Sequence, residues 1–185
     1  MTQYDPMGLI SPILITLKIK LRKLYGPEMN LSWDDQLPED LHQSWVDTIA
    51  MLLRMGEIVL DLCIKPEGVD GLPELVGFSD GSLEAYACCV YIRWKMLKNH
   101  PEDPDNYFVK LICGKARVTP LKGTTAPRSE LSGLLILTRL LKVVVNALTD
   151  RPSQITIATD SQCSISALEK SGGILAPFFA SRGHF

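Results

Sequence analysis

Apolar residues between positions 9 and 25 are interrupted by Lys18, Lys20, Arg22 and Lys23, the pattern of an amphipathic helix that begins near Pro12 and stops at Gly26-Pro27. A second helical pattern runs from Pro38 to about Leu60. Glu39 and Asp40 suit its positive N-terminal end, and Leu41, Trp45, Thr48, Ile49 and Leu52 fall at helical spacing. The two helices are expected to pack together as an appendage over residues 1–61, burying Leu41, Trp45, Ile49 and Leu52. From Leu72 the period shortens. Residues 73–79, 86–94 and 107–117 are rich in aromatic and β-branched side chains and read as strands, the middle one with Tyr86, Cys88, Val90, Ile92 and Trp94 on one face. Asp80-Gly81 and residues 100–105 supply turn chemistry between them, so three sequential antiparallel strands are expected.

After residues 124–127 a long helix is expected to about Leu148, apolar on nearly every side except a stripe of Arg128, Ser132, Arg139, Lys142 and Asn146. Residues 154–159 then read as a short strand, and Ser161 to Lys170 as a helix ended by Gly172-Gly173. The order strand-strand-strand-helix-strand-helix predicts an α/β domain over residues 62–185. Its mixed sheet consists of a three-strand antiparallel meander, a crossover helix and one parallel strand.

Composition narrows the setting. A length of 185 residues fits one domain, or one domain with an appendage. The longest uncharged stretches, residues 6–17 and 171–181, are too short for a membrane span, so no membrane partner is expected. The N-terminus has no secretory pattern, and the five cysteines, with Cys88 and Cys89 adjacent and no C-x-x-C pair, suggest neither a disulfide framework nor a zinc site. Reduced thiols in an intracellular protein are the expectation. The net charge of −2 is uninformative, but residues 1–27 carry four basic side chains against Asp5, whereas residues 28–61 carry eight acids against Arg54.

Three acids stand at junctions between elements. Asp80 in Asp-Gly is ordinarily a hairpin-turn residue, Glu130 in the expected first turn of the long helix is ordinarily stabilised by the helix dipole, and Asp160 between a strand and a helix is ordinarily an N-cap. Together they say more. Strand C-termini and helix N-termini face one crevice in α/β folds, and a crossover through the Glu130 helix would set the Asp80 and Asp160 strands side by side. Three converging carboxylates repel unless cations neutralise them, and all-oxygen ligands favour Mg²⁺ or Mn²⁺.

The segments holding these acids carry a resemblance. Phe78-Ser79-Asp80-Gly81-Ser82, Pro127-Arg128-Ser129-Glu130-Leu131 and Ala158-Thr159-Asp160-Ser161 resemble the first three acidic motifs of ribonuclease H. The surroundings are similar to the ribonuclease H region of Bel/Pao-type LTR retrotransposon polyproteins: Tyr-Asp-Pro-Met-Gly-Leu-Ile-Ser-Pro at residues 4–12, Trp-Asp-Asp at 33–35 and Lys-Ala-Arg-Val-Thr-Pro-Leu-Lys at 115–122. No Tyr-x-Asp-Asp polymerase motif is present, so the resemblance implies a connection segment plus a ribonuclease H-like domain, with the reverse transcriptase domain an upstream partner in the parent polyprotein.

What the resemblance implies is metal-dependent hydrolysis of RNA in RNA–DNA hybrids. Two Mg²⁺ (or Mn²⁺) ions would be held with Asp80 bridging both and Glu130 and Asp160 on one each. Gly81, Ser82, Ser161 and Gln162 flank the acids and would touch the substrate backbone or 2′-hydroxyls. The family continues with a fifth strand and a last helix bearing a fourth acid, whereas 25 residues follow Asp160 here, so the domain is expected to be C-terminally incomplete. A second reading therefore stands beside the first: a catalytically inactive truncated retroelement remnant with at most weak nucleic-acid binding. His42 and His100 are expected on the surface and His184 in the chain's tail, none of them a ligand.

Overall fold

The alternation at Tyr86, Cys88, Val90, Ile92 and Trp94 becomes the second strand of a four-stranded sheet in a computed structural model of the chain. The structure describes residues 4–26, 29, 31–32, 34–97, 106–120, 124–162 and 164–166. Strands β1 (Val69–Gly81), β2 (Ala85–Met96), β3 (Tyr107–Val118) and β4 (Gln154–Ala158) lie in the order β3-β2-β1-β4. β2 is antiparallel to both neighbours, and β4 runs parallel to β1. This is the expected α/β fold of ribonuclease H-like type: a meander, a crossover helix and a parallel strand. Trp33, the turn at residues 100–105, the end of the segment at 115–122, the helix beyond Ser166, Gly172-Gly173 and His184 lie outside the described residues.

The face of β2 read from the sequence is the core. All five of its alternating residues are buried, with Leu75 of β1 opposite Ile92, and they pack beneath Leu134, Leu137, Leu141 and Val144 of the crossover helix. Each such side chain contributes roughly 1.5–3 kcal/mol on burial. Trp94 also satisfies its polar atom, its indole N–H donating to the Ile64 carbonyl at 2.7 Å. Within the expected polar stripe of that helix, Ser132 is in fact buried, because its hydroxyl donates to the Arg128 carbonyl at 2.8 Å and needs no water.

Two α-helices precede the sheet, α1 (Ser11–Leu24) and α2 (Glu39–Arg54), with α3 (Ala126–Ala147) as the crossover. No helix among the described residues is long and apolar enough to cross a membrane. α2 ends earlier than its pattern suggests, in a 3₁₀ turn over Met55–Glu57 that contains Gly56. Ile49, expected inside, is 45 % exposed, while Thr48 is buried and Leu41, Trp45 and Leu52 are half-buried. The reason is a polar contact: Lys20 of α1 donates to the Ser44 carbonyl and to Thr48 Oγ1, both at 2.5 Å, so α2 turns Thr48 rather than Ile49 toward α1.

Residues 5–22 fasten α1 across β3. The Asp5 carboxylate accepts from the backbone N–H of Leu9 and Ile10 at 3.0 and 3.1 Å, and the Met7 carbonyl accepts from Gly114 N–H at 2.8 Å. Further along, Arg22 donates to Thr119 Oγ1 at 2.8 Å and to the Glu84 carbonyl at 3.1 Å.

Burial decides thiol chemistry. Desolvation pushes the Cys88 thiol up to about 12 and the Cys113 thiol up to about 11. At pH 8, iodoacetamide is expected to modify exposed Cys63 in the folded protein and to spare Cys88 and Cys113 until denaturant is added, as peptide mass mapping would show.

Candidate active site

The site begins with how closely β1 approaches α3. A Cβ on Gly81 would lie 2.4 Å from the Ser129 carbonyl carbon and 2.5 Å from Glu130 N, and one on Gly133 would lie 2.8 Å from the Asp80 carbonyl oxygen. Glycine on both sides thus lets the strand end touch the helix backbone, setting Asp80 beside Glu130 in the chain's path. The turn is not where Asp-Gly suggested. Asp80 and Gly81 pair with Ala87 and Tyr86 as strand residues, and the reversal falls at residues 82–84, where Ser82 Oγ accepts from Glu84 N and Ala85 N, both at 3.2 Å. The local preference for a turn yields because Gly81 serves the close approach to α3.

Register brings in the third acid. Phe78 is opposite Ala158 in the parallel β1–β4 pair, so Asp80 and Asp160 each follow two residues later, level with one another at the carboxyl ends of adjacent strands. Both are exposed and line a groove of about 800 Å³, whose walls include Phe78, Cys89 and Tyr91 from the sheet and Leu9 and Pro12 from the start of α1. Phe78 and Tyr91 meet edge to face, with centroids 5.9 Å apart.

Each carboxylate can now be compared with its ordinary structural role. Asp80 closes no turn, although its Oδ1 accepts from Gly81 N–H at 2.6 Å. Glu130 is the fifth residue of α3, past the first turn to which the helix dipole effect is confined. Asp160 is not the cap. Ser161 takes that position, its hydroxyl accepting from Ser164 N–H at 3.0 Å, and the same hydroxyl lies 2.5 Å from Glu130 Oε2.

The remaining candidates divide. Gly81 is packed on α3, Ser82 is exposed with its hydroxyl in the turn, Ser161 is buried against Glu130, and Gln162 is exposed. Ser164, which the sequence reading did not single out, is buried and bonded to Ser161 at 2.8 Å. The signal for it is the spacing Ser161-x-x-Ser164, an N-cap and its N3 position. His42 is exposed and lies 4.0 Å from Glu39, away from this site.

As donors, three carboxylates without histidine suit a hard divalent cation. Cys89 lines the same groove, but desolvation raises its pKa and keeps the thiol protonated, a poor ligand. Asp80 and Glu130 are turned onto protein donors, Gly81 N–H and the Ser161 hydroxyl, and among the described residues no three His, Cys, Asp or Glu side chains are grouped to hold an ion. Glu130 is not among the residues lining the groove of Asp80 and Asp160, and ion binding would require the side chains of the two aspartates to turn toward it.

Gly81→Ala is expected to cost roughly 1–3 kcal/mol, because the atoms in the way are backbone and cannot swing aside. Thermal unfolding would measure it, and an unchanged midpoint would show that α3 is not held this close.

A family model described as Pao retrotransposon-like RNaseH-like domain matches residues 1–161, a range that holds Asp80, Glu130, Asp160 and Ser161. No curated protein matches the chain.

Proposed function

Because the chain belongs to the family of Pao retrotransposon-like RNaseH-like domains, we propose that it hydrolyses the RNA strand of RNA–DNA hybrids, using Mg²⁺ or Mn²⁺ held by Asp80, Glu130 and Asp160. The observation that carries this reading is the β1–β4 register, which sets two aspartates level at the ends of adjacent parallel strands with Glu130 on the connecting helix. None of the three closes a turn or caps a helix, so their places call for another explanation. Two ions bound by such carboxylates supply activation of water and stabilisation of the leaving 3′ oxygen.

The protein's own contribution is position. Asp80 lies on the strand that touches both α3 and β4, and would be the residue suited to bridging. Exposed Ser82 and Gln162 flank the acids and suit contacts to the substrate backbone or 2′-hydroxyls, which discriminate RNA from DNA without reading sequence. The partner implied is the hybrid itself, presented by a reverse transcriptase domain of the parent polyprotein.

Calorimetric titration with Mn²⁺ tests the ligand assignment apart from catalysis. Asp160→Asn should weaken binding by about tenfold or more, since even groups that only support a metal ligand are worth roughly 10–100-fold. Equal affinity in the variant and the parent would remove Asp160 from the site.

A further inference from the structure

The Ser161 hydroxyl is completely used. Its oxygen lies 2.5 Å from Glu130 Oε2, 2.8 Å from Ser164 Oγ and 3.0 Å from Ser164 N. A carboxylate only accepts, so the single hydroxyl proton goes to Glu130, and the two lone pairs take the Ser164 N–H and the Ser164 hydroxyl proton. Ser161 and Ser164 are 4 % and 1 % exposed, so water does not compete for these bonds. A hydroxyl with one donation and two acceptances has nothing left for a 2′-hydroxyl or phosphate.

From this geometry we infer that Ser161 is a positioning residue: it orients the Glu130 carboxylate through Oε2, leaving Oε1 for an ion, and does not touch substrate. The inference rests on the reading of Glu130 as a metal ligand. Its physical content is a tie between two separate elements. Glu130 belongs to α3, whereas Ser161 opens the helix that follows β4 one residue after Asp160, so one proton fixes the second acid relative to the third. Such a bond limits the rotamers Glu130 can visit and lowers the entropy lost when an ion is bound.

The test is a double-mutant cycle read by Mn²⁺ affinity. Ser161→Gly removes the hydroxyl while glycine remains a tolerated N-cap, so the helix start is kept. In the parent chain this substitution is expected to weaken Mn²⁺ binding by about tenfold. In a Glu130→Gln background it should change the affinity by less than about twofold, because the group through which it acts is gone. Ser161→Thr, which keeps the hydroxyl, should restore most of the affinity. Equal losses in both backgrounds would mean a general structural effect and overturn the inference. So would an unchanged affinity in Ser161→Gly while Glu130→Gln weakens binding. If the parent chain itself takes up no Mn²⁺ at millimolar concentration, the metal reading fails first and the inference falls with it.

Discussion

Asp80→Asn is expected to lower Mg²⁺-dependent cleavage of an RNA–DNA hybrid by roughly a thousandfold, about 4 kcal/mol of transition-state stabilisation. The side chain keeps its shape and loses its charge. Asp80 is exposed, and the bond it makes among the described residues, accepting from Gly81 N–H at 2.6 Å, is available to an asparagine oxygen as well. Stability should therefore change by less than about 0.5 kcal/mol, as for an ordinary surface substitution. The separation of the two readouts is the point: calorimetric unfolding should superimpose while single-turnover cleavage collapses. A parallel drop in both would mean that Asp80 supports the strand end rather than the chemistry.

The largest effect on stability is expected at Gly8. A Cβ there would lie 1.8 Å from the Gly114 carbonyl oxygen, and the residue has φ +71°, in the left-handed region that costs other residues roughly 1–2 kcal/mol. Overpacking adds roughly 1–3 kcal/mol. Neither strain is relieved by a rotamer change, since the obstacle is backbone on both sides. Gly8→Ala should then detach residues 5–22 from β3, lower the unfolding midpoint and expose α1 to protease. Gly56→Ala is the matched control: its Cβ would meet nothing within 4 Å and φ is ordinary, so no loss is expected. Cleavage of α1 at the same rate in Gly8→Ala and the parent would show that the segment does not depend on Gly114.

Much of the sheet was legible in the sequence because its signal is local. Tyr86 to Trp94 form a short apolar run rich in aromatic and β-branched residues and bounded by turn chemistry, so a strand followed from the residues alone, and in a strand Tyr86, Cys88, Val90, Ile92 and Trp94 share a face, the one α3 covers. The crossover into a parallel β4 followed from helix and strand order. What did not follow was set by contacts between distant segments. Asp80-Gly81 reads as a turn by its own chemistry, and only the pressure of Ser129 and Glu130 on Gly81 explains why the strand continues through it. Ile49 lies on an apolar stripe, yet the contact with α1 is made through Thr48 and Lys20, which no period reveals.

The acids show the same division. Their positions at element ends were readable, and the strand register that levels Asp80 with Asp160 agrees with a shared crevice. Which side chain caps the helix after β4 was not readable, because Asp160 and Ser161 are adjacent and both are good caps. That choice is made by Glu130, thirty-one positions away in sequence from Ser161, whose carboxylate draws the serine hydroxyl inward.

The most direct test of the account is cleavage of an end-labelled RNA–DNA hybrid by the 185-residue chain, with Mg²⁺ and with EDTA, beside duplex DNA of the same sequence. The expected result is cutting of the RNA strand alone, to 5′-phosphate products, dependent on Mg²⁺ and lost in Asp80→Asn. Cleavage no faster than that of Asp80→Asn, or equally fast in EDTA, would contradict a metal-dependent site built on these three carboxylates.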